Sequence, residues 1–585
     1  MTISKLSKSD YTLGLQCPLA LWFKYKRKDL KPPITPQKQA LFDTGNEVGE
    51  WARKYFDDNY IIGSNKDNCK GYNNNNYNNQ YCDRQNHNNN KNYLIDAPCW
   101  HIDESILQTK EGIDFGSNYI FEATAKTPEG LYSRIDVLRK CENDSSNNKW
   151  DLMEAKSSTK LKEYQIDDIS FQYYVFKNAG YEIRDCYIML VNNEYIKNGD
   201  INPKELLKLK CITEQVLEKY NTIKDNADYL LSKLNEQNKL EQDIGCHCNS
   251  PFECDYKHEC WKHIPKYSVF DLYTEKEGVE QIYKCYGADI RNIPEEKHPI
   301  NVKNIDIRSY LEDKEHINKE EIKSFLNTLE YPLYFLDYET VAHAVPPFNN
   351  SRPYQQIPFQ FSLHVQEGRG EQLKHIEYLH KNRTTDPRKS LTQKLIESCK
   401  DKGSILVYYE NFEKTRNKEL AELFPEYKEQ LENINNRIVD LYTPFKNRHI
   451  YNHKQKSSAS IKYTLPAFTD MTYQDMEIKK GDEASNRYLK YLQNKLNKEE
   501  ENTLFKGLDN YCKQDTLAMV KLLEVLEEKI INRAGEGNGK KEESKESKKS
   551  KENNKDNKSI SNKNNTNINS VNISVDLNEQ MRFEL

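Results

Sequence analysis

The chain has 585 residues, with 86 Lys and Arg against 91 Asp and Glu for a net charge of −5. That length exceeds what one hydrophobic core organises and predicts two or more domains. The near-balanced charge excludes a globally basic polyanion binder and confines any nucleic-acid contact to a local patch. No apolar run reaches the roughly 18–20 residues that cross a bilayer. The first residues show no basic segment followed by an apolar core, so the 14 cysteines are expected to ligate a metal or cluster rather than form disulfides. A cytoplasmic protein with no membrane partner is the expectation.

In chain order, "SKSDYTLGLQCPLALWF" predicts a helical stretch carrying Cys17. Residues 64–92 are dominated by asparagine, with few aliphatic side chains to pack, and read as a disordered insertion. "LYSRIDVLRK" (131–140) and "KWDLMEAKSS" (149–158) alternate apolar and polar residues around a turn-rich joint, which predicts an antiparallel hairpin. Asp136 lies on its first strand, and Glu154 and Lys156 share a face of the second. Two carboxylates beside a lysine suit a divalent ion and a polarised water, the equipment for phosphodiester cleavage. A Glu-x-Lys on a strand is by itself usually a solvent-facing ion pair; Asp136 on the neighbouring strand shifts that balance. The next segment, "YQIDDISFQYYVFKNAG", predicts a helix that carries Gln172 and stops at Gly180.

Cys248, Cys254 and Cys260 follow at five-residue intervals. With Cys17 they make four soft ligands, enough for an iron–sulfur cluster or a zinc ion. Cys246, His247, His258 and His263 offer a compact local zinc site as the alternative. A charged, helix-like connector over 266–325 then separates a first domain, 1–265, from a second, 326–533, with a disordered tail over 534–585.

The second domain opens on "YFLDYET". In a strand, Phe335, Asp337 and Glu339 project to one face and Leu336 and Tyr338 to the other. Adjacent carboxylates in an apolar run repel unless a cation lies between them. Further acids follow: Glu413 at a helix start after a strand near 405–409, Asp440 in "NRIVDLYTPF", and Asp515 four residues after Tyr511, on one helical face with it. A phenol beside a metal-bound carboxylate can orient the attacking water. Arg352, Gln355 and Gln356, in the proline-braced "SRPYQQIP", are candidates for contacting substrate phosphates and bases.

The order Cys17, Asp136, Glu154-x-Lys156, Gln172, Cys248, Cys254, Cys260 resembles the RecB-type iron–sulfur exonucleases, including CRISPR-associated members. This implies a restriction-endonuclease-like, PD-(D/E)xK fold and a 4Fe–4S cluster on the four cysteines. The sequence departs from that pattern at Gly49, where the family often has a metal-binding histidine, leaving Glu47 or Glu122 as substitutes. Asp337-x-Glu339 and Tyr511-x-x-x-Asp515 resemble the DnaQ-like (DEDD) 3'-5' exonucleases of the ribonuclease H-like fold. Glu413 falls at the position of their second motif, with Asp440 as its rival. "RPYQQIPFQFSLH" and "YCKQDTLAM" resemble a bacterial domain-of-unknown-function family that joins two such halves. The resemblances imply an α/β, Mg- or Mn-dependent nuclease hydrolysing single-stranded nucleic acid, DNA in preference to RNA, in repair or processing. The alternative is a catalytically reduced nucleic-acid-binding scaffold with a structural Fe–S or Zn site.

Overall fold

The computed structural model describes residues 3–56, 61–62, 92–141, 149–272, 276–299 and 301–531. The tail expected over 534–585 and all but the last residue of the insertion expected over 64–92 lie outside them; Asn92 itself opens a strand. The described residues form a mixed α/β protein with two large sheets and one small one.

The first half begins with β1 (Leu6–Ser7), α1 (Lys8–Gln16) and α2 (Pro18–Lys26). Ser7 and Asp10 make a reciprocal capping box that starts α1. Cys17 does not continue that helix: it sits in extended backbone between the two helices, and Pro18 begins the second, where its missing N–H costs nothing. Then follow α3 (Pro36–Phe56), β2 (Ile61–Ile62), β3 (Asn92–Leu94), α4 (Ile102–Asp114), β4 (Tyr119–Lys126), β5 (Leu131–Lys140) and β6 (Lys149–Lys156). The half closes with α5 (Glu163–Asn178), β7 (Glu182–Val191), α6 (Pro203–Leu206), β8 (Leu207–Cys211) and α7 (Thr213–Asn235). The sheet runs β2-β3-β4-β5-β6-β7-β8, with β1 added parallel to β5. The expected hairpin is β5–β6, antiparallel. α5 ends as expected: Gly180 takes φ +97°, and the Tyr181 amide returns to the Phe176 carbonyl at 3.1 Å.

In the second half, β9 (His316–Ile317) pairs with a late strand, β15 (Ile450–Tyr451), in the small sheet. Between them lie β10 (Leu333–Val341), β11 (Ile357–Gln366), β12 (Lys374–Leu379), β13 (Ile405–Val407) and β14 (Ile438–Asp440), in the order β12-β11-β10-β13-β14. β11 is antiparallel to β10, whereas β13 and β14 continue parallel. The alternation read from "YFLDYET" holds: Leu333, Phe335 and Val341 enter one core cluster, and Tyr334, Leu336 and Tyr338 the other. The long helix Lys498–Ile530 packs across β10 and β11, so the central strand and this helix face each other.

The halves share a core. Val48 and Ala52 of α3, Met189 and Val191 of β7, and Ala344 and Val345 beyond β10 form one buried cluster. The connector is tied in by a buried ion pair, Arg448 Nε to Asp306 Oδ1 at 2.6 Å.

Candidate functional site

The first centre assembles on β10 and the helices around it. Ligand atoms of Asp337, Glu339 and Cys512 all lie within 4.8 Å of one another. Burial and the charge of Asp515 push the Asp337 carboxyl well above its ordinary range, and burial with the charges of Asp337 and Asp515 does the same to Glu339. Burial and Asp337 raise Glu413 likewise. Asp515 is pushed up to about 6 by burial, the rise being limited by hydrogen bonds from Tyr473 and Tyr511 and by the charge of Lys462. Asp337 thus feels the charge of Asp515, and Glu339 and Glu413 feel that of Asp337, although these acids are separated by up to 178 positions. Such a set of mutually repelling, desolvated acids is the environment a divalent cation relieves.

Glu413 and Asp440 differ in their partners. Asp440 Oδ1 accepts the amides of Tyr409 (2.9 Å) and Tyr442 (3.0 Å), so it shapes the turn that starts the helix Glu410–Leu423. Glu413, on that helix, is 2% exposed and its Oε2 has no hydrogen-bond partner. An orphaned buried carboxylate oxygen next to Asp337 fits a metal ligand. Tyr511 is 3% exposed and near enough to Asp515 to favour its ionised form.

Sequence reasoning missed Tyr473, whose hydroxyl donates to Asp515 Oδ1 at 2.6 Å. It lies outside any helix or strand, where no periodicity flags it. It also missed Cys512, whose neighbours Tyr511 and Asp515 drew attention instead. Lys462 supplies the positive charge felt by Asp337, Glu339 and Asp515.

The second centre lies on the first sheet. Phe121 faces Val137 and Ala123 faces Ile135 across β4–β5, while Val137 faces Met153 across β5–β6. This register puts Glu122, Asp136 and Glu154 in one row over three strands. Glu122 holds φ 62°, an uncommon conformation for a non-glycine residue. Burial and the charges of Glu154 and Glu122 push Asp136 up to about 8. Glu154 goes the other way: burial opposes its ionisation, but Lys8 and Lys156 outweigh it and hold Glu154 at about 2. Lys8 Nζ reaches Glu154 Oε1 at 2.6 Å and Lys156 Nζ the same oxygen at 3.1 Å, while Lys156 also bonds Asp168 at 2.7 Å.

Of the two substitutes for the absent histidine, Glu122 joins this row. Glu47 turns instead to His343 (3.5 Å) and Gln493 (3.2 Å) of the second half. Gln172 is fully buried and donates to Glu154 Oε2 (2.8 Å) and the Arg134 carbonyl (2.9 Å). It therefore orients Glu154 from a buried position. Arg352 and Tyr354 are exposed, and Gln355 and Gln356 are half-buried; Gln355 Oε1 accepts the Arg352 amide and Gln356 Oε1 accepts from Thr340.

Cys17, Cys248, Cys254 and Cys260 line one pocket with His247. Gln16, at the end of α1, donates to the carbonyls of His247 (2.8 Å) and Phe252 (2.7 Å), which closes the distance from residue 17 to residue 248. Hydrogen bonds to Cys17 and Cys248 push His247 up to about 10. Cys254 is pushed up to about 11 by burial and the neighbouring sulfurs. The compact zinc alternative does not assemble: the His258 ring turns to the Asp255 carbonyl at 3.0 Å, His263 is exposed, and Cys246 packs against a different cluster, around Tyr267.

Residues 334–460 match the family described as Domain of unknown function (DUF2779). The matched segment contains Asp337, Glu339, Glu413 and Asp440, and stops short of Tyr511 and Asp515. The chain is 29% identical over 221 residues to "Uncharacterized protein MG366" of Mycoplasma genitalium, covering 34% of this chain and 33% of that protein. It is 25% identical over 288 residues to "Uncharacterized protein MG366 homolog" of Mycoplasma pneumoniae, covering 45% of this chain and 43% of that protein. The chain thus spans between a third and a half of the length of these relatives. No solved structure matches. Among the described residues, no helix is long and apolar enough to cross a membrane.

Proposed function

We propose that this protein is a divalent-metal-dependent nuclease whose principal centre is a 3'-5' exonuclease of the DEDD kind. Asp337, Glu339, Glu413 and Asp515 would hold Mg or Mn, which would stabilise the attacking and leaving oxygens of a phosphodiester displacement. Tyr511 orients the attacking water. The observation that carries this reading is the pair Asp337 and Glu339, with ligand atoms within 4.8 Å of each other, beside Glu413, whose Oε2 is buried and partnerless. The strand order β12-β11-β10-β13-β14, with the second strand in sequence antiparallel, supports a ribonuclease H-like fold for this half.

For the first half, the row Glu122–Asp136–Glu154 with Lys156 supports a PD-(D/E)xK-type centre. Cys17, Cys248, Cys254 and Cys260 would hold a 4Fe–4S cluster.

The test is degradation of end-labelled single strands, DNA and RNA in parallel, with Mn. Shortening that is abolished by Asp337→Asn and by Asp515→Asn is expected; undiminished degradation by the double variant defeats the proposal. One observation favours a second reading, in which the first half only binds nucleic acid: Glu154 is already neutralised by two lysines. In that case Asp136→Asn leaves all degradation intact.

A further inference from the structure

The loop between β10 and β11 joins the two acidic centres physically. It leaves β10 just after Glu339 and is pinned to the first half at several points. The Lys197 amide donates to the Ser351 carbonyl at 3.0 Å, the Asn350 amide donates back to the Lys197 carbonyl at 2.9 Å, and Lys197 Nζ reaches the Pro347 carbonyl at 3.0 Å. From the other side Arg388, 2% exposed, donates to the carbonyls of Asn349 (2.6 Å) and Asn350 (3.0 Å). The loop is therefore a rigid wall built into both halves, since Ala344 and Val345 also enter the shared core.

At its crest, Tyr354 adopts φ 61°, a conformation that a bulky residue holds only when its surroundings impose it. Its amide donates to the His343 carbonyl at 2.8 Å, and its hydroxyl donates to the carbonyl of Ser157, the residue after Lys156. Even so, Tyr354 remains 38% exposed. Beside it Arg352 is exposed, and only its backbone amide is engaged, by Gln355. An exposed aromatic ring fixed next to an exposed guanidinium is the combination that stacks a base and neutralises a phosphate without reading sequence.

Lys156 precedes Ser157, Ser157 is bonded by Tyr354, Tyr354 bonds His343, and His343 follows Glu339 by four residues. This path limits the separation of the two rows of acids to roughly 35 Å, at most roughly ten stacked nucleotides.

We infer that the Arg352–Tyr354 crest is a platform for a single polynucleotide strand that engages both acidic centres at once. The inference rests on the reading of those centres as polynucleotide sites. It adds that they share one substrate path instead of acting on separate molecules.

The experiment uses the full chain with Asp136→Asn and Asp337→Asn to stop turnover. Labelled oligothymidylates of about four to about twenty nucleotides, and the matching oligouridylates, are titrated in the presence of Mn. Affinity is expected to climb with length up to roughly ten nucleotides and then level off. Tyr354→Ala and the exposed, fold-neutral Arg352→Glu each lower affinity for the long strands by about tenfold or more, with the shortest strands unaffected. Thermal melting of each variant separates loss of the crest from loss of the fold. Affinity that levels off at about four nucleotides, or that ignores Arg352→Glu, overturns the inference, as does the absence of binding at any length. Degradation of strands by the unsubstituted chain is measured alongside. A chain that degrades strands but binds them without length dependence loses the shared path and keeps the proposed activity; length-dependent binding without degradation does the reverse.

Discussion

Tyr473 and Asp515, 42 positions apart, are joined by a 2.6 Å hydrogen bond in which the buried phenol donates to Oδ1 of the carboxylate. Tyr511 also favours the ionised form of this carboxylate, and its ring lies 6.0 Å from that of Tyr473. Asp515 is thus held by two phenols that favour its ionised form and fix the direction of its free lone pairs. Two tyrosines on one acid divide the work: Tyr511, on the helix of Asp515, can face a water, while Tyr473 keeps the acid in place.

Removing the second of these roles gives a specific outcome. Tyr473→Phe deletes the hydrogen bond and keeps the ring, at a stability cost of about 1 kcal/mol. Its bond to Asp515 lowers that pKa, so its loss moves the acid limb of the pH–rate profile upward. The Mn concentration for half-maximal rate rises, and kcat falls by about tenfold while KM for the strand holds. A pH profile identical to that of the unsubstituted chain would reduce Tyr473 to packing.

Glu413 and Asp440 are separable in the same way. Glu413→Gln removes a buried carboxyl whose ionised form burial and Asp337 disfavour, so activity is lost while the metal-free melting temperature holds or rises. Asp440→Ala instead frees the amides of Tyr409 and Tyr442. It is expected to destabilise the fold by about 1–3 kcal/mol, with activity falling only as far as the Glu410 helix shifts. Circular-dichroism melts beside the degradation assay distinguish the two; the opposite pattern would assign the ligand to Asp440.

The raised acids also fix the sign of the pH dependence. Asp515 titrates at about 6 and Asp136 at about 8 in the folded chain, against 3.8 for an ordinary aspartate. Between those values the folded state holds protons that the unfolded chain has released, so stability is full near pH 4 and drains away as pH rises to about 8. Asp337, Glu339 and Glu413 act in the same direction. Glu154, lowered to about 2, acts oppositely and only below pH 4.5. Melting temperature in EDTA should therefore fall from pH 5 to pH 8. Mn should restore it most at the alkaline end, by about 2.7 kcal/mol when the ion is at a hundred times its Kd. A flat or rising profile in EDTA would contradict the packing of acids described here.

The cysteines make a separable prediction. Cys17→Ser should strip the protein of a visible sulfur-to-iron absorption band and lower its melting temperature, because Cys17 closes the loop to Cys248. Cys246→Ser should leave the band in place. Colourless protein that retains stoichiometric zinc would remove the cluster and return the site to a single ion.

What the sequence made legible were residues whose spacing encodes geometry. Asp337 and Glu339 share a strand face because the period is two, and Tyr511 and Asp515 share a helix face because they lie four apart. The hairpin register that aligns Asp136 with Glu154 follows from two alternating runs around a turn. What stayed hidden depended on long-range placement. Tyr473 reaches its acid from irregular chain, and Gln172 proved to support Glu154 because α5 lies directly over β5. The break at Cys17 was hidden by helix-forming residues on both sides of it, although Pro18 marked it. Lys8 enters the row of acids only because a two-residue strand, Leu6–Ser7, pairs with β5 beside Leu131 and Tyr132, a contact too short to leave a pattern.

Lys8 offers a test of the first centre. Its ammonium lies 2.6 Å from Glu154 Oε1, on the oxygen that Lys156 also bonds at 3.1 Å. A divalent ion bridging Glu154 and Asp136 would bring two more positive charges to this position, so Lys8 and the ion compete for one carboxylate. Lys8→Ala should raise the affinity of this centre for Mn by about tenfold. In the metal-free chain it should also lower stability, since Glu154 then keeps only Lys156 and Gln172. The measurement is calorimetric titration of Mn into Lys8→Ala in an Asp337→Asn background, which silences the other centre. Unchanged or weaker binding would mean that Lys8 belongs to the working site, holding the water or phosphate as Lys156 does.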